Sequence, residues 1–156
     1  MNINGTCINF SPSVRNLGVT LDSTLSLHQH VMNVCRVAYL ELRRINSIRN
    51  LLSVDAVKTL VSSLVLSRLD YCNSLLVGLP QYLIKRLQGV QISQINTPRS
   101  EHISPLLQNL HWLPVNRRTH HKVAALCHSS LSCSGPQYLS GLTHVYTPAR
   151  SLRSSS

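Results

Sequence analysis

Residues 26–49 read SLHQHVMNVCRVAYLELRRINSIR, and the spacing of their apolar members decides the fold. Leu27, Val31, Val34, Cys35, Ala38, Leu42 and Ile45 recur at steps of three and four, with neither Gly nor Pro between them. That period is one face of an α-helix, so the stretch predicts an amphipathic helix from Ser26 to about Arg49. Arg36, Arg43 and Arg44 lie on its other face, and Arg49 falls near the end, where a cation suits the helix dipole.

The same period continues downstream. Ser53 is placed as an N-cap for a second helix in which Val57, Leu60, Val61, Leu64, Val65, Leu69 and Cys72 share a side, ending near Leu76 ahead of Gly78 and Pro80. Pro80 opens a third helix through Leu83, Leu87 and Val90, because its missing amide donor costs nothing in a first turn. Ser104-Pro105 begins a short helix through Leu110, broken by the Trp112-Leu113-Pro114 corner, and a weaker helix follows over about 116–132.

Upstream the period changes. Over residues 14–21, VRNLGVTL, Arg15, Leu17, Val19 and Leu21 alternate with Val14, Asn16, Gly18 and Thr20, the pattern of one half-buried strand. Cys7–Phe10 is also β-leaning, and Ser11-Pro12-Ser13 supplies a turn between the two, so a small hairpin is expected at the amino end. The expected fold is mainly α: a helical bundle with a small N-terminal β-hairpin and a disordered C-terminal tail. The divisions fall at 1–22 for the hairpin, 23–97 for the helical region, 98–143 for a helical extension and 144–156 for the tail.

The chain of 156 residues is 43% hydrophobic, enough for one domain with a core, and its 4% aromatic content leaves Leu, Val and Ile to build it. Fifteen Lys and Arg against five acids give a formal charge of +10, which favours polyanionic partners. Twelve of the fifteen are Arg, whose planar fork matches phosphate oxygens. The half from residue 79 onward carries net +7 against +3 before it, which makes it the stronger candidate for a nucleic-acid face. Five cysteines at irregular spacing, with no CxxC, read as thiols in a reducing compartment. With no apolar run long enough to span a membrane and no secretory signal, the expected location is intracellular, nuclear or cytoplasmic.

Four strings accumulate in order: VRNLGVTLDSTLSLHQHV at 14–31, LVLSRLDYCNSLLVGLP at 64–80, EHISPLLQNLHWLPVNRR at 101–118 and YTPARSLRSSS at 146–156. Together they resemble the reverse transcriptase of non-LTR (LINE-type) retrotransposons, in the region downstream of the polymerase active site. The resemblance implies that RNLGVTLD at 15–22 corresponds to the primer-grip strand at the edge of the palm, that 23–97 is thumb-like, and that 98–143 is a helical extension holding the template–primer duplex. Such holding is mostly phosphate contact, tolerant of sequence and sensitive to salt. Gly18 fits the primer-grip assignment, since a strand that a primer backbone approaches closely has no room there for a side chain.

The candidate nucleic-acid-binding residues are therefore Arg15 and Gly18, through the resemblance, and the doublets Arg43 with Arg44, Lys85 with Arg86, and Arg117 with Arg118. Trp112 is a candidate for base stacking, although a lone Trp between leucines and a proline is more often a corner anchor. Asp70 more often caps a helix end or pairs with an arginine such as Arg68 than acts in catalysis. No Asp-Asp pair exists in the sequence, whereas two-metal phosphoryl transfer needs clustered carboxylates. The chain is thus expected to be non-catalytic alone, with Mg2+ belonging to the palm that the resemblance places upstream. His120, His121, Cys127, His128 and Cys133 lack finger spacing, and no zinc site is expected from them. RNA or an RNA–DNA hybrid is the expected partner, with no membrane and no small-molecule substrate. The alternative reading is a helical protein-interaction module or a degenerate copy without selected function.

Overall fold

The structure is a computed structural model of the chain and describes residues 2–3, 6–7, 11–93, 112–132, 134–144 and 146. The periodicity at 26–49 is realised as helix α1, His28–Ile48. Val31, Cys35, Ala38, Leu42 and Ile45 are buried along it as their spacing requires, and so is His30, which the apolar pattern did not contain. No side chain caps its start, where Leu27 is left-handed at φ 54°. That conformation costs roughly 1 kcal/mol for a residue with a Cβ, and it persists because the Leu27 side chain is packed into the core.

Helix α2, Val54–Val61, begins at Ser53, whose hydroxyl accepts the Ala56 amide at 3.3 Å. It runs through a wide π-turn, Ser62–Leu66, into α3, Ser67–Asp70. A π-turn inserts one residue, which rotates everything after it by about 100° around the axis. Leu66 is buried as a result, while Leu64 comes to the surface. The sequence reading carried this helix to about Leu76, but regular helix stops at Asp70: Tyr71 is extended and Cys72 is left-handed at φ 52°. Asn73–Leu76 form a separate 3₁₀ turn. The apolar period hid the break because Cys72 and Leu76 still pack on the core, and periodicity reports burial rather than hydrogen bonding.

Helix α4, Gln81–Ser93, follows Pro80, whose carbonyl accepts from the amides of Leu83 and Ile84. Leu83, Leu87 and Val90 are buried as expected, and α4 packs on α1. Helix α5, Val115–Leu131, lies within a residue of the reading at 116–132, and a short α6, Gln137–Ser140, follows it.

The amino end departs from expectation in where the chain turns and which segments pair. Residues 14–21 are not one strand but a hairpin, β3 (Ser13–Asn16) against β4 (Val19–Asp22), turning on Leu17-Gly18. Both turn residues have positive φ, 45° and 82°, the geometry that matches the twist of a two-residue hairpin. Thr6–Cys7 (β2) pairs instead with Asn2–Ile3 (β1), and 8–10 lie outside the described residues. Folding back changes which residues share a face. In a single strand Arg15 would lie beside Val19 and Leu21, whereas in the hairpin Arg15 sits opposite Thr20, and Leu21, packed on the core, sits opposite Val14.

The protein is thus mainly α with an N-terminal hairpin, and it forms two compact units, Met1–Thr119 and His120–Ser156. The core lies in the first unit, and residues 112–119, which the reading at 98–143 had grouped with an extension, belong to that unit. In the second unit the Ser129 carbonyl accepts the amides of Ser134 and Gly135, and Ser130 bonds Thr143 at 2.7 Å. The helix expected over 104–110 and the tail from 147 lie outside the described residues. Among the described residues no helix is long and apolar enough to cross a membrane.

Candidate nucleic-acid interface

The β3–β4 hairpin, α1 and α3, with Tyr71 just beyond, border an open-sided cavity of about 590 Å3. Arg15 reaches it from β3, Arg36 from α1 and Arg68 from α3. Thr20, His30, Asn33, Ser67 and Tyr71 complete its polar lining, and among the described residues no carboxylate lines it. Each arginine arrives for a local reason. Arg15 is there because the turn at Leu17-Gly18 puts it on the face away from the core. Arg36 sits one residue after buried Cys35, on the exposed flank of α1. Arg68 follows the π-turn, and its Nε is steadied by the Leu64 carbonyl at 3.2 Å. Among the described residues none of the three makes an ion pair, so their charges repel one another across the opening.

Two contacts fix the hairpin against the helices. The Tyr71 hydroxyl donates to the Leu17 carbonyl at 2.6 Å, and a Cβ at Gly18 would meet the Tyr71 ring at 3.4 Å. Gly18 therefore serves a left-handed turn and a close approach together, the approach here being made by Tyr71. On the other strand, the Thr20 amide donates to Nδ1 of His30 at 3.4 Å. That bond requires an unprotonated Nδ1, and burial acts in the same direction by lowering the His30 pKa. His30 is thus a neutral strut rather than a fourth cation. The link from β4 to α1 is held by Asp22, which accepts from the amides and hydroxyls of Thr24 and Ser26. Chiefly through Ser26, these bonds hold its carboxyl at about 2, below the usual 3.8.

Of the sequence-derived candidates, Arg15 and Gly18 line the cavity, and the others are elsewhere. Arg43, Lys85, Arg86 and Arg117 are exposed, and Arg44 is exposed with Glu41 at 3.1 Å. Arg118 is turned inward: its Nη1 is 2.7 Å from both oxygens of Asp70, and its Nε donates to the Leu113 carbonyl at 3.0 Å. The arginine partner of Asp70 is therefore Arg118, not Arg68. The same carbonyl accepts from Nε2 of the fully buried Gln91, whose Oε1 accepts from Gln88, and Gln88 in turn accepts the Val115 amide. Trp112, half-buried, packs on the core at this corner. Sequence reasoning missed Arg36 and Arg68 as partners of Arg15, and it missed the Gln88–Gln91 clamp. The clamp left a faint signal, two amide side chains at i,i+3 on an otherwise apolar helix face.

Among the described residues no group of three or more His, Cys, Asp or Glu is placed to hold a metal ion, and Cys133 lies outside them. No family model matches the chain, and no match was found among the curated proteins or the solved structures. Function is therefore argued from the cavity and its charges.

Proposed function

We propose that this chain is a non-catalytic nucleic-acid-holding protein of the kind its sequence resembles, the region downstream of the active site in a non-LTR retrotransposon reverse transcriptase. It binds template–primer nucleic acid, RNA or an RNA–DNA hybrid, without sequence preference. One observation supports this best: Arg15 and Gly18, from the string that resembles the primer grip, line the same acid-free cavity as Arg36 and Arg68. Guanidinium groups that lack a carboxylate partner are relieved by phosphate, and a net charge of +10 adds long-range attraction.

The test is fluorescence anisotropy with a labelled hybrid duplex over a salt series. Binding should be tight at low salt and weaken steeply as salt rises. Replacing Arg15, Arg36 and Arg68 together by Ala should flatten the log–log slope by roughly 2–3, close to one counterion for each lost phosphate contact. An absence of binding at low salt, or binding indifferent to salt, sinks the proposal.

A further inference from the structure

No small-molecule substrate is expected from the sequence, yet the cavity has the size to hold one. Its volume of about 590 Å3 falls within the range of ligand pockets, roughly 300–1,000 Å3. A nucleic-acid backbone passing over a surface is met by a track of cations with an entrance and an exit. Here the three arginines come from three different elements and line one open-sided cavity. Their walls are set before any ligand arrives, by the Tyr71–Leu17 bond on one side and the Thr20–His30 bond on the other.

The charge count narrows the ligand. A single phosphodiester brings one negative charge and two free oxygens, which leaves part of the donor capacity of Arg15, Arg36 and Arg68 unused. A phosphate monoester brings about 1.5–2 at neutral pH, together with three terminal oxygens that three separate donors can share. The rest of the lining suits what such a group is attached to. Tyr71 is 53% exposed with its hydroxyl already engaged, and the part of its ring not covered by Gly18 is available for contact with a base. Asn33 offers a neutral amide donor to a sugar or a base edge, while the Ser67 hydroxyl, which donates to the Ser63 carbonyl, offers only an acceptor.

We infer that the cavity is a site for a phosphate monoester borne on a nucleoside, either the 5′-phosphorylated end of a nucleic-acid strand or a free nucleoside monophosphate. The inference rests on reading this cavity as the phosphate-binding site, and it goes further by naming the form of the phosphate. Arg15, Arg36 and Arg68 hold the phosphoryl oxygens, and Tyr71 backs the base.

The experiment has two arms, both on the full chain. In the first, anisotropy compares one short single strand, labelled at its 3′ end, with and without a 5′-phosphate. The phosphorylated strand should bind about tenfold tighter, as expected for an added charge-assisted contact. Arg36→Ala and Arg68→Ala should abolish that preference, while Arg43→Ala should keep it. In the second arm, calorimetry measures adenosine monophosphate, adenosine and inorganic phosphate. Monophosphate binding that fails in Arg68→Ala and persists in part in Arg68→Lys supports the site, and adenosine should not bind. Thermal melts of each variant check that it is folded, which the exposure of all three arginines favours.

A 5′-phosphate preference without monophosphate binding assigns the site to strand ends, and the converse assigns it to free nucleotides. If both strands bind equally with steep salt dependence and the monophosphate does not bind, this inference falls while the nucleic-acid proposal stands. If neither strand binds but the monophosphate does, the nucleic-acid proposal falls and the pocket remains.

Discussion

Arg68 and Arg118 begin from similar positions: each is an arginine beside a helix end, within reach of a carbonyl that its Nε engages. Arg118 finds Asp70 and becomes a tie between α3, the Leu113 corner and the start of α5. Arg68 shares a helix with Asp70, yet makes no ion pair among the described residues and lines a cavity with two more arginines. What separates them is rotation about the α2–α3 axis after the π-turn. An arginine's task here thus follows from where the nearest carboxylate points, not from how densely basic residues cluster in sequence. The carboxyl-terminal half holds more net charge, but the acid-free convergence lies in the amino-terminal half.

The corner built by Gln91 and Arg118 should therefore respond to mutation as structure, and the cavity as a binding surface. The largest effect is expected from Gln91→Ala. It opens a void in a fully buried position and leaves the Leu113 carbonyl and Gln88 short of partners, for a loss of about 2–3 kcal/mol in urea unfolding. Arg118→Ala should cost about 1–2 kcal/mol, moderated because Asp70 is 45% exposed and solvent screens its charge. Neither change should alter the salt dependence of nucleic-acid binding. If Arg118→Ala lowered that slope as Arg68→Ala does, the division between the two regions would be broken.

Gly18→Ala sharpens the comparison from the cavity side. A Cβ at φ +82° is strained, and the Tyr71 ring at 3.4 Å must give way slightly, so a loss of about 1 kcal/mol is expected, with weaker binding of the hybrid duplex. Tyr71→Phe separates the two causes. It keeps the ring but removes the bond to the Leu17 carbonyl, and should loosen the hairpin without introducing backbone strain.

These residues also show what could be read from sequence. The α1 face was legible nearly residue by residue, because one uninterrupted period over six turns leaves few alternatives. A hairpin near the amino end was legible, but its turn was expected at 11–13 and lies instead at Leu17-Gly18. Strict alternation runs unbroken through VRNLGVTL, and Gly18 alone marks the reversal, with Leu17 an unusual occupant of its left-handed partner position. That error concealed the site, since Arg15 meets Thr20 and the cavity only once the strand folds back. The π-turn concealed Arg68 in the same way, by shifting phase without any Gly or Pro to announce it. The tie of Arg118 to Asp70 was hidden for the opposite reason: a basic doublet in sequence cannot reveal that an aspartate 48 residues earlier points at one member and not the other.

The smallest expected effect concerns the hinge that seats the cavity wall. Asp22 accepts four hydrogen bonds from Thr24 and Ser26, and they favour its charged form, which is why its pKa falls to about 2. A carboxylate whose folded pKa lies below its unfolded value contributes stability that is complete above the ordinary 3.8, declines as pH falls, and is gone below about 2. Asp22→Asn should therefore melt a few degrees below the parent near neutral pH, with the gap closing across that window as the parent loses its advantage. Other carboxylates are common to both proteins, so the difference between the two melting curves isolates Asp22. A gap that stayed constant through the window would mean that Asp22 acts through the shape of the Asp22–Ser26 turn rather than through its charge. Hybrid-duplex affinity at neutral pH then reports whether loosening this link reaches the cavity: it should fall in Asp22→Asn by less than in Gly18→Ala, because β4 remains tied to α1 through Thr20 and His30.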